Sequence, residues 1–285
     1  MNKEVKEMAK EAKQKVWFIT GASSGFGQVL VQQLLDRGDM VVATSRDQSN
    51  FDEIKNPNFL GLEVKELDNQ VQVKEAVEAT IKKFNRIDVV VNNAGYGQVG
   101  PFEEQTREEI EAEFKVNLFG PMMVAREFLP LMREQKSGKI VNISSVAGFL
   151  ASTGSSSYNA TKFALDGWSD ALAQEVKPFN IQVVSIYPGG YRTKFSGASI
   201  KIAAHRLDDY KEFDTNLVAW RKQMDGNQPG DPEVGMQTLI KVVDLPQSPG
   251  HFILGEDAVE DYAVKKDKLW TADLKTSQAL NKEVK

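Results

Sequence analysis

A chain of 285 residues has room for one large domain or two small ones, and for a substantial core. Its 41% apolar and 26% charged residues exclude a disordered protein, and the absence of cysteine excludes disulfides, thiolate catalysis, iron–sulfur clusters and thiolate zinc sites. Two histidines and a net charge of −5 argue against a multi-histidine metal site and against sequence-independent nucleic-acid binding, which needs clustered positive charge.

No apolar run reaches the ~18 residues of a membrane span. The segment MNKEVKEMAKEAKQK has no apolar centre of the kind a secretory signal carries. A cytoplasmic protein with no membrane partner is expected.

In chain order, residues 1–14 read as a polar tail. An apolar strand over Val16–Thr20 leads through a glycine-rich turn into a helix over Gln28–Arg37, which Gly38 stops. Strands follow at Met40–Thr44 and Phe59–Val64. In Val71–Phe84, Val73, Val77, Ile81 and Phe84 recur at the spacing of one helix face. Further strands are expected at Ile87–Asn92, Lys139–Ile143, Ile181–Tyr187 and His251–Leu254, with helices over Thr106–Leu118, Met122–Gln135 and Tyr158–Val176. The strands are near-continuous apolar runs, as strands covered on both faces are. Their alternation with helices predicts a single doubly wound α/β domain over 15–275, built on a seven-stranded parallel sheet flanked by helices. The stretch 188–230 is long for a connection. Its Ile200, Phe213, Leu217 and Trp220 predict a mobile lid over a pocket. Residues 276–285 read as a second polar tail.

The turn after the first strand is Thr20-Gly21-Ala22-Ser23-Ser24-Gly25-Phe26-Gly27. Glycines there let backbone N–H groups approach a pyrophosphate, and the helix that follows presents unpaired donors and its positive dipole end. Further along, Tyr158 and Lys162 lie one helical turn apart on one face. Carbonyl reduction needs a proton donor poised near neutral pH. Bringing a phenol from ~10 to ~7 takes roughly 4 kcal/mol. An ammonium at about 4 Å, through an effective dielectric of ~20, supplies a similar amount.

The turn spacing T-G-x-x-x-G-x-G, Asn92-Asn93-Ala94-Gly95, Asn117, Ser144-Ser145, Tyr158-x-x-x-Lys162 and Pro188-Gly189 with Thr193 come in one order over about Lys15 to Gly255. Together they resemble the short-chain dehydrogenase/reductase superfamily. Asn92–Gly97 and Pro188–Thr193 look most like its hydroxysteroid-dehydrogenase-like branch, which spans many substrates. The resemblance implies a Rossmann-like fold with Tyr158 as general acid and base. It implies that Lys162 lowers the phenol pKa and binds the nicotinamide ribose, that Ser145 bonds the substrate oxygen, and that Asn117 holds a relay water. It assigns the cofactor to Gly21, Ser23, Ser24, Gly25, Phe26 and Gly27 at the turn, and to Asn93, Ala94 and Gly95 along the adenosine ribose. Glu66-Leu67 stands where an Asp-Val pair usually meets the adenine. Pro188, Gly189, Tyr191 and Thr193 are expected at the carboxamide and pyrophosphate. Self-association as a dimer or tetramer, through the helices carrying Asn117 and Tyr158, is also implied.

Ser45 and Arg46 stand where relatives that prefer NAD carry a carboxylate after the second strand. A guanidinium there grips a 2′-phosphate, so NADP(H) is expected as cofactor. Ser145, Phe149, Tyr158, Tyr191 and Phe195 are the candidate substrate contacts. No charged clamp accompanies them, and the expected substrate is a small molecule with an apolar body. The reading is an NADP(H)-dependent oxidoreductase interconverting a carbonyl and a secondary alcohol. The alternative is a non-enzymatic NADP(H)-binding sensor or scaffold on the same fold.

Overall fold

The computed structural model describes residues 14–195, 199–265, 271 and 277–278, with Arg221 by its backbone alone. The expected polar tails fall outside the described residues except for Gln14, Ser277 and Gln278. The strands are β1 (Val16–Ile19), β2 (Met40–Ser45), β3 (Phe59–Glu63), β4 (Val89–Asn92), β5 (Gly97–Val99), β6 (Gly138–Ile143), β7 (Ile181–Pro188), β8 (Ile200–Ile202) and β9 (His251–Leu254). Seven of them make one parallel sheet in the order β3-β2-β1-β4-β6-β7-β9. This is the doubly wound α/β fold that the alternation of elements predicts.

The two faces of β1 explain its unbroken apolar run. Trp17 and Ile19 pack with Leu30 and Leu34 of α1 (Gly25–Arg37) and with Leu239 of the late helix Pro232–Asp244. Val16 and Phe18 face the opposite layer, with Val73 and Val77 of α2 (Gln70–Phe84) and with Phe128. All four β1 residues are at most 1% exposed, so neither face tolerates a polar side chain. Gly38, at φ 90°, ends α1 by donating its N–H to the carbonyls of Leu34 and Leu35.

The helix expected over Thr106–Leu118 is two structures. A capping box between Thr106 and Glu109 starts α3 (Arg107–Phe114), which gives way to a wide π turn over Lys115–Phe119. Then α4 (Gly120–Gln135) resumes. The long helix expected from Tyr158 is α5 (Ser156–Val176). Three later helices follow: α6 (Lys211–Met224), α7 (Pro232–Asp244) and α8 (Glu256–Val264).

The 188–230 connection is anchored at several of its described residues. Its β8 pairs in parallel with β5, Gly97 opposite Ile200 and Val99 opposite Ile202, and Tyr191 bridges to Gly230. Glu104, fully buried, accepts from the Leu207 N–H at 2.8 Å and from the Arg206 guanidinium at 2.9 Å. Phe213 of α6 fills the space beside Gly154. Ile200 is buried, whereas Val218 and Trp220 face outward. The apolar residues of this cover are therefore divided between core and surface. Among the described residues, no helix is long and apolar enough to cross a membrane, and no group of acidic or histidine side chains could hold a metal ion.

Candidate active site

Strand order reverses between β1 and β4, the switch point beyond whose carboxyl ends the ligand crevice of an open α/β sheet lies. The motif residues converge there because each follows a neighbouring strand. Thr20 Oγ1 accepts from the N–H groups of Asn93 and Ala94, both at 3.1 Å. Asn93 Nδ2 returns hydrogen bonds to the carbonyls of Thr20 at 2.9 Å and Gly21 at 3.0 Å. The two loops are thus stapled together, and the glycines make room. A Cβ on Gly27 would lie 2.6 Å from Asn93 Nδ2 and from Gly21 O, and one on Gly21 2.7 Å from Ala94 Cα.

Ser24 is the N-cap of α1, yet its side chain makes no capping hydrogen bond. The first-turn N–H groups of α1 are left to an anion, and Gly25, at φ 55°, lets the backbone turn into them. Ser23 is exposed beside this turn. These features fit the diphosphate of a dinucleotide. Phe26 packs edge-on against Tyr191, ring centroids 5.0 Å apart.

At the end of β2, Ser45 is buried. Its hydroxyl donates to the Asp47 carbonyl at 2.5 Å and accepts from Asp47 N and Asn50 Nδ2. It shapes the turn rather than presenting a free hydroxyl. Arg46 is exposed and forms no ion pair among the described residues. The Asp47 carboxylate is taken up by Ser49, whose N–H and hydroxyl hold its pKa below the ordinary value. Glu66 is exposed, and Leu67 packs against Gly120.

Ser145, Tyr158 and Lys162 meet beside this crevice. Ser145 caps the short turn over Val146–Gly148, its Oγ accepting from Ala147 N at 3.1 Å. The same hydroxyl stands close enough to the Tyr158 phenol to favour its charged form. Lys162 is 4% exposed, and its Nζ donates to the Ile143 carbonyl at 2.9 Å while lying 5.7 Å from the Tyr158 ring centroid. Asn117 is buried in the π turn. Its Oδ1 accepts from Tyr96 N at 3.1 Å, and its Nδ2 donates to Tyr96 O at 2.8 Å and Thr161 Oγ1 at 3.2 Å. These bonds hold the wide turn open, as such turns commonly are at functional sites. A Cβ on Gly95 would lie 3.3 Å from Asn117 Oδ1 and 3.8 Å from Lys162 Nζ.

Burial is the largest influence on Tyr158 and pushes its pKa above the usual phenol value, the nearby Ser145 hydroxyl pulls it down, and the Glu113 charge pushes it further up. Burial lowers the Lys162 pKa to about 8, against the opposing charges of Asp166 and Glu113. Both carboxyls are themselves raised by burial to about 7. Asp166 Oδ2 accepts from Ser144 Oγ at 3.1 Å.

Two of the expected substrate contacts are buried against other side chains. Phe149 is buried, tilted against Tyr187 at 5.5 Å and edge-on to Tyr262 at 5.3 Å. Tyr191 is buried against Phe26, Gly230 and Gly235. Phe195 does stand beside the site, its ring centroid 6.0 Å from that of Tyr158. Thr193 Oγ1 accepts from Phe195 N at 3.2 Å, and Thr193 faces Gly25 across the crevice.

Sequence reasoning missed Asp257. Its Oδ2 accepts from Gly190 N at 2.7 Å, and its carboxylate occupies the space a side chain at Gly189 would need. It fixes the Pro188–Gly190 turn from α8. An acidic residue in the first turn after Gly255 was the available signal, but nothing in the sequence ties it to residues 188–190. Thr20 and Thr161 were equally silent, because their hydroxyls serve loops distant in the chain.

A glycine turn at the switch point of a parallel sheet, with a serine just after β6 and a tyrosine and a lysine on the helix that follows it, is the arrangement of a nicotinamide-dependent oxidoreductase. The short chain dehydrogenase family model matches residues 15–201, and the chain belongs to that family. It is 34% identical over 262 residues to Oxidoreductase BOA17 of Botryotinia fuckeliana, covering 90% of this chain and 94% of that protein. It is 40% identical over 199 residues to a 3-ketodihydrosphingosine reductase of Bacteroides thetaiotaomicron, covering 70% and 72%. The crystal structure of a short-chain dehydrogenase from Streptomyces avermitilis superposes with a TM-score of 0.85 at 33% identity, over 95% of this chain and 100% of that one. At the level of fold alone, a Burkholderia cenocepacia structure in complex with NADP matches at TM-score 0.72 and 23% identity, over 95% and 97% of the two chains. A Burkholderia phymatum structure in complex with NAD matches at 0.77 and 20%, over 94% and 96%.

Proposed function

We propose that this short-chain dehydrogenase uses NADP(H) to interconvert a carbonyl and a secondary alcohol on a small molecule with an apolar body. The meeting of Ser145, Tyr158 and Lys162 beside the dinucleotide crevice carries the reading. Bound there, the nicotinamide supplies the hydride and, once oxidised, a cationic ring. In reduction, the Tyr158 hydroxyl gives its proton to the substrate oxygen, and Ser145 Oγ–H hydrogen-bonds that oxygen. The lysine ammonium stabilises the phenolate left behind. Asn117 links the pair to a proton relay, in the role its family position implies. Oxidation runs the same steps in reverse.

The NADP(H) preference is supported by the end of β2. No carboxylate stands at positions 45 or 46, the Asp47 carboxylate is taken up by Ser49, and Arg46 is exposed without an ion pair among the described residues. The apolar substrate body is supported by Phe195 and Ile200, which flank Tyr158 at Gly97. The name of the Bacteroides relative, which describes a ketone on an apolar chain, is in keeping with it. Self-association is supported by the apolar groove of about 680 Å³ formed by Phe119, Met122 and Leu129 of the π turn and α4 with Trp168 of α5. A cytoplasmic location accords with the lack of cysteine.

The test is NADPH oxidation against a panel of apolar ketones and aldehydes, repeated with NADH. Turnover faster with NADPH is expected. NADPH binding without turnover on any carbonyl would favour the sensor, and an NADH preference would overturn the cofactor assignment.

A further inference from the structure

Asn159 follows Tyr158 in α5 and is 5% exposed. Asparagine is a poor helix residue, because its amide competes for nearby backbone groups. Here its side-chain bonds among the described residues all leave the helix. Nδ2 donates to the Ala147 carbonyl at 2.8 Å and to the Leu150 carbonyl at 3.3 Å, and Oδ1 accepts from Ser152 N at 3.3 Å. The pattern asks for an amide, since two carbonyls need a donor and one N–H needs an acceptor beside it. An aspartate would set a carboxylate against two carbonyls, and a serine would offer one oxygen to three partners.

The segment held in this way is the one that carries Ser145. Ala147 links the two side chains directly: its N–H donates to Ser145 Oγ at 3.1 Å, and its carbonyl accepts from Asn159. Two more residues on the same face of α5, three and seven positions on, grip the preceding stretch. Lys162 Nζ donates to the Ile143 carbonyl at 2.9 Å, and Asp166 Oδ2 accepts from Ser144 Oγ at 3.1 Å. A Cβ on Gly148 would lie 2.0 Å from Asp166 Oδ2, so the turn is pressed onto the helix. Within the turn, Gly148 N donates to the Ser145 carbonyl at 2.8 Å and Leu150 N to the Val146 carbonyl at 2.9 Å. Those bonds fix its curl but not its distance from α5.

We propose that Asn159 is a positioning residue that acts through Ser145: its amide, bonded to Ala147, Leu150 and Ser152, ties the serine's turn to the helix that carries Tyr158 and Lys162, so that the serine and tyrosine hydroxyls meet at one substrate oxygen. The role rests on the oxidoreductase reading above. A residue that works only by placing another side chain has little left to do once that side chain is gone. With Ser145 cut back to Ala, losing the Asn159 amide therefore costs little more. A residue that serves the fold at large gives factors that multiply.

The experiment measures single-turnover reduction by bound NADPH in wild type, Ser145→Ala, Asn159→Ala and the double variant, with acetophenone, cyclohexanone and benzaldehyde as probes. Asn159→Ala is expected to slow the step roughly ten- to a hundred-fold, the size of a lost set of buried hydrogen bonds, with the NADPH dissociation constant within about three-fold of wild type. The double variant is expected within about three-fold of Ser145→Ala. An Asn159→Ala rate equal to that of wild type, or a double variant slowed by the product of the two single factors, would overturn the proposal. Hydrogen exchange over residues 146–152, without cofactor, is the second measurement. Faster exchange confined to that segment is expected in Asn159→Ala. No change there, or faster exchange throughout the chain, refutes the tie. Where the Ala variant does not fold, Asn159→Ser takes its place in both measurements with the same expectations. If wild type reduces none of the probes, the failure lies with the oxidoreductase reading, and the exchange measurement still decides for Asn159.

Discussion

Burial and the nearby Ser145 hydroxyl pull the Tyr158 phenol in opposite directions, and burial is the stronger. The residue is half-buried. The Tyr-x-x-x-Lys spacing locates the pair but not its electrostatics. Spacing leaves unseen that Lys162 spends a hydrogen bond on Ile143 O and that two carboxyls crowd the same cluster. Aromatic side chains were the least legible. Phe149, Tyr191 and Phe195 look alike in sequence, yet two of them close the core and one faces the site. At Arg46 the sequence supports a sharper expectation. On the proposed NADP(H) reading, replacing it with Ala removes one charge-assisted contact to the 2′-phosphate, worth ~1.5–3 kcal/mol. The ratio of kcat/KM with NADPH to that with NADH is expected to fall roughly ten- to a hundred-fold. An unchanged ratio would assign the preference elsewhere.

Strands and helices were legible where burial on both faces, or a strong stop signal, fixed them. The apolar run of β1 and the Gly38 stop of α1 are examples. The π turn was not, because the side-chain bonds of Asn117 to Tyr96 and Thr161 create it, and no local propensity encodes them. Strands β5 and β8 escaped notice because three residues are too few to show a period. Helix α8 acts at a distance through Asp257, which holds the Gly190 N–H. Asp257→Asn is expected to loosen the 188–190 turn and weaken NADPH binding roughly ten-fold, with little change in the melting temperature. Titration calorimetry alongside thermal unfolding separates this from a general loss of fold. Equal weakening of both would contradict a local role.

The whole molecule carries its buried charges as a pH dependence. Asp166 is 9% exposed, and burial raises its pKa to about 7, far above the ~4 of an unfolded chain. Between those values the folded state binds more protons than the unfolded one. Stability therefore falls as pH rises through this window, by on the order of 4 kcal/mol from this group. Asp166→Asn keeps a partner for Ser144 and removes the titration. Its unfolding free energy in urea is expected to change less between pH 5 and pH 7.5 than that of wild type. Parallel pH curves would show that the carboxyl ionises freely in the fold.

The central claim is that the Tyr158 hydroxyl delivers the proton. Single-turnover oxidation of bound NADPH by a ketone that wild type reduces, compared with Tyr158→Phe, tests it most directly. The loss of a general acid is worth about 10²–10⁴ in rate. A fall of that size is expected, with the NADPH dissociation constant within about three-fold of wild type. A variant that kept a tenth or more of the wild-type rate, with its cofactor bound equally well, would contradict it.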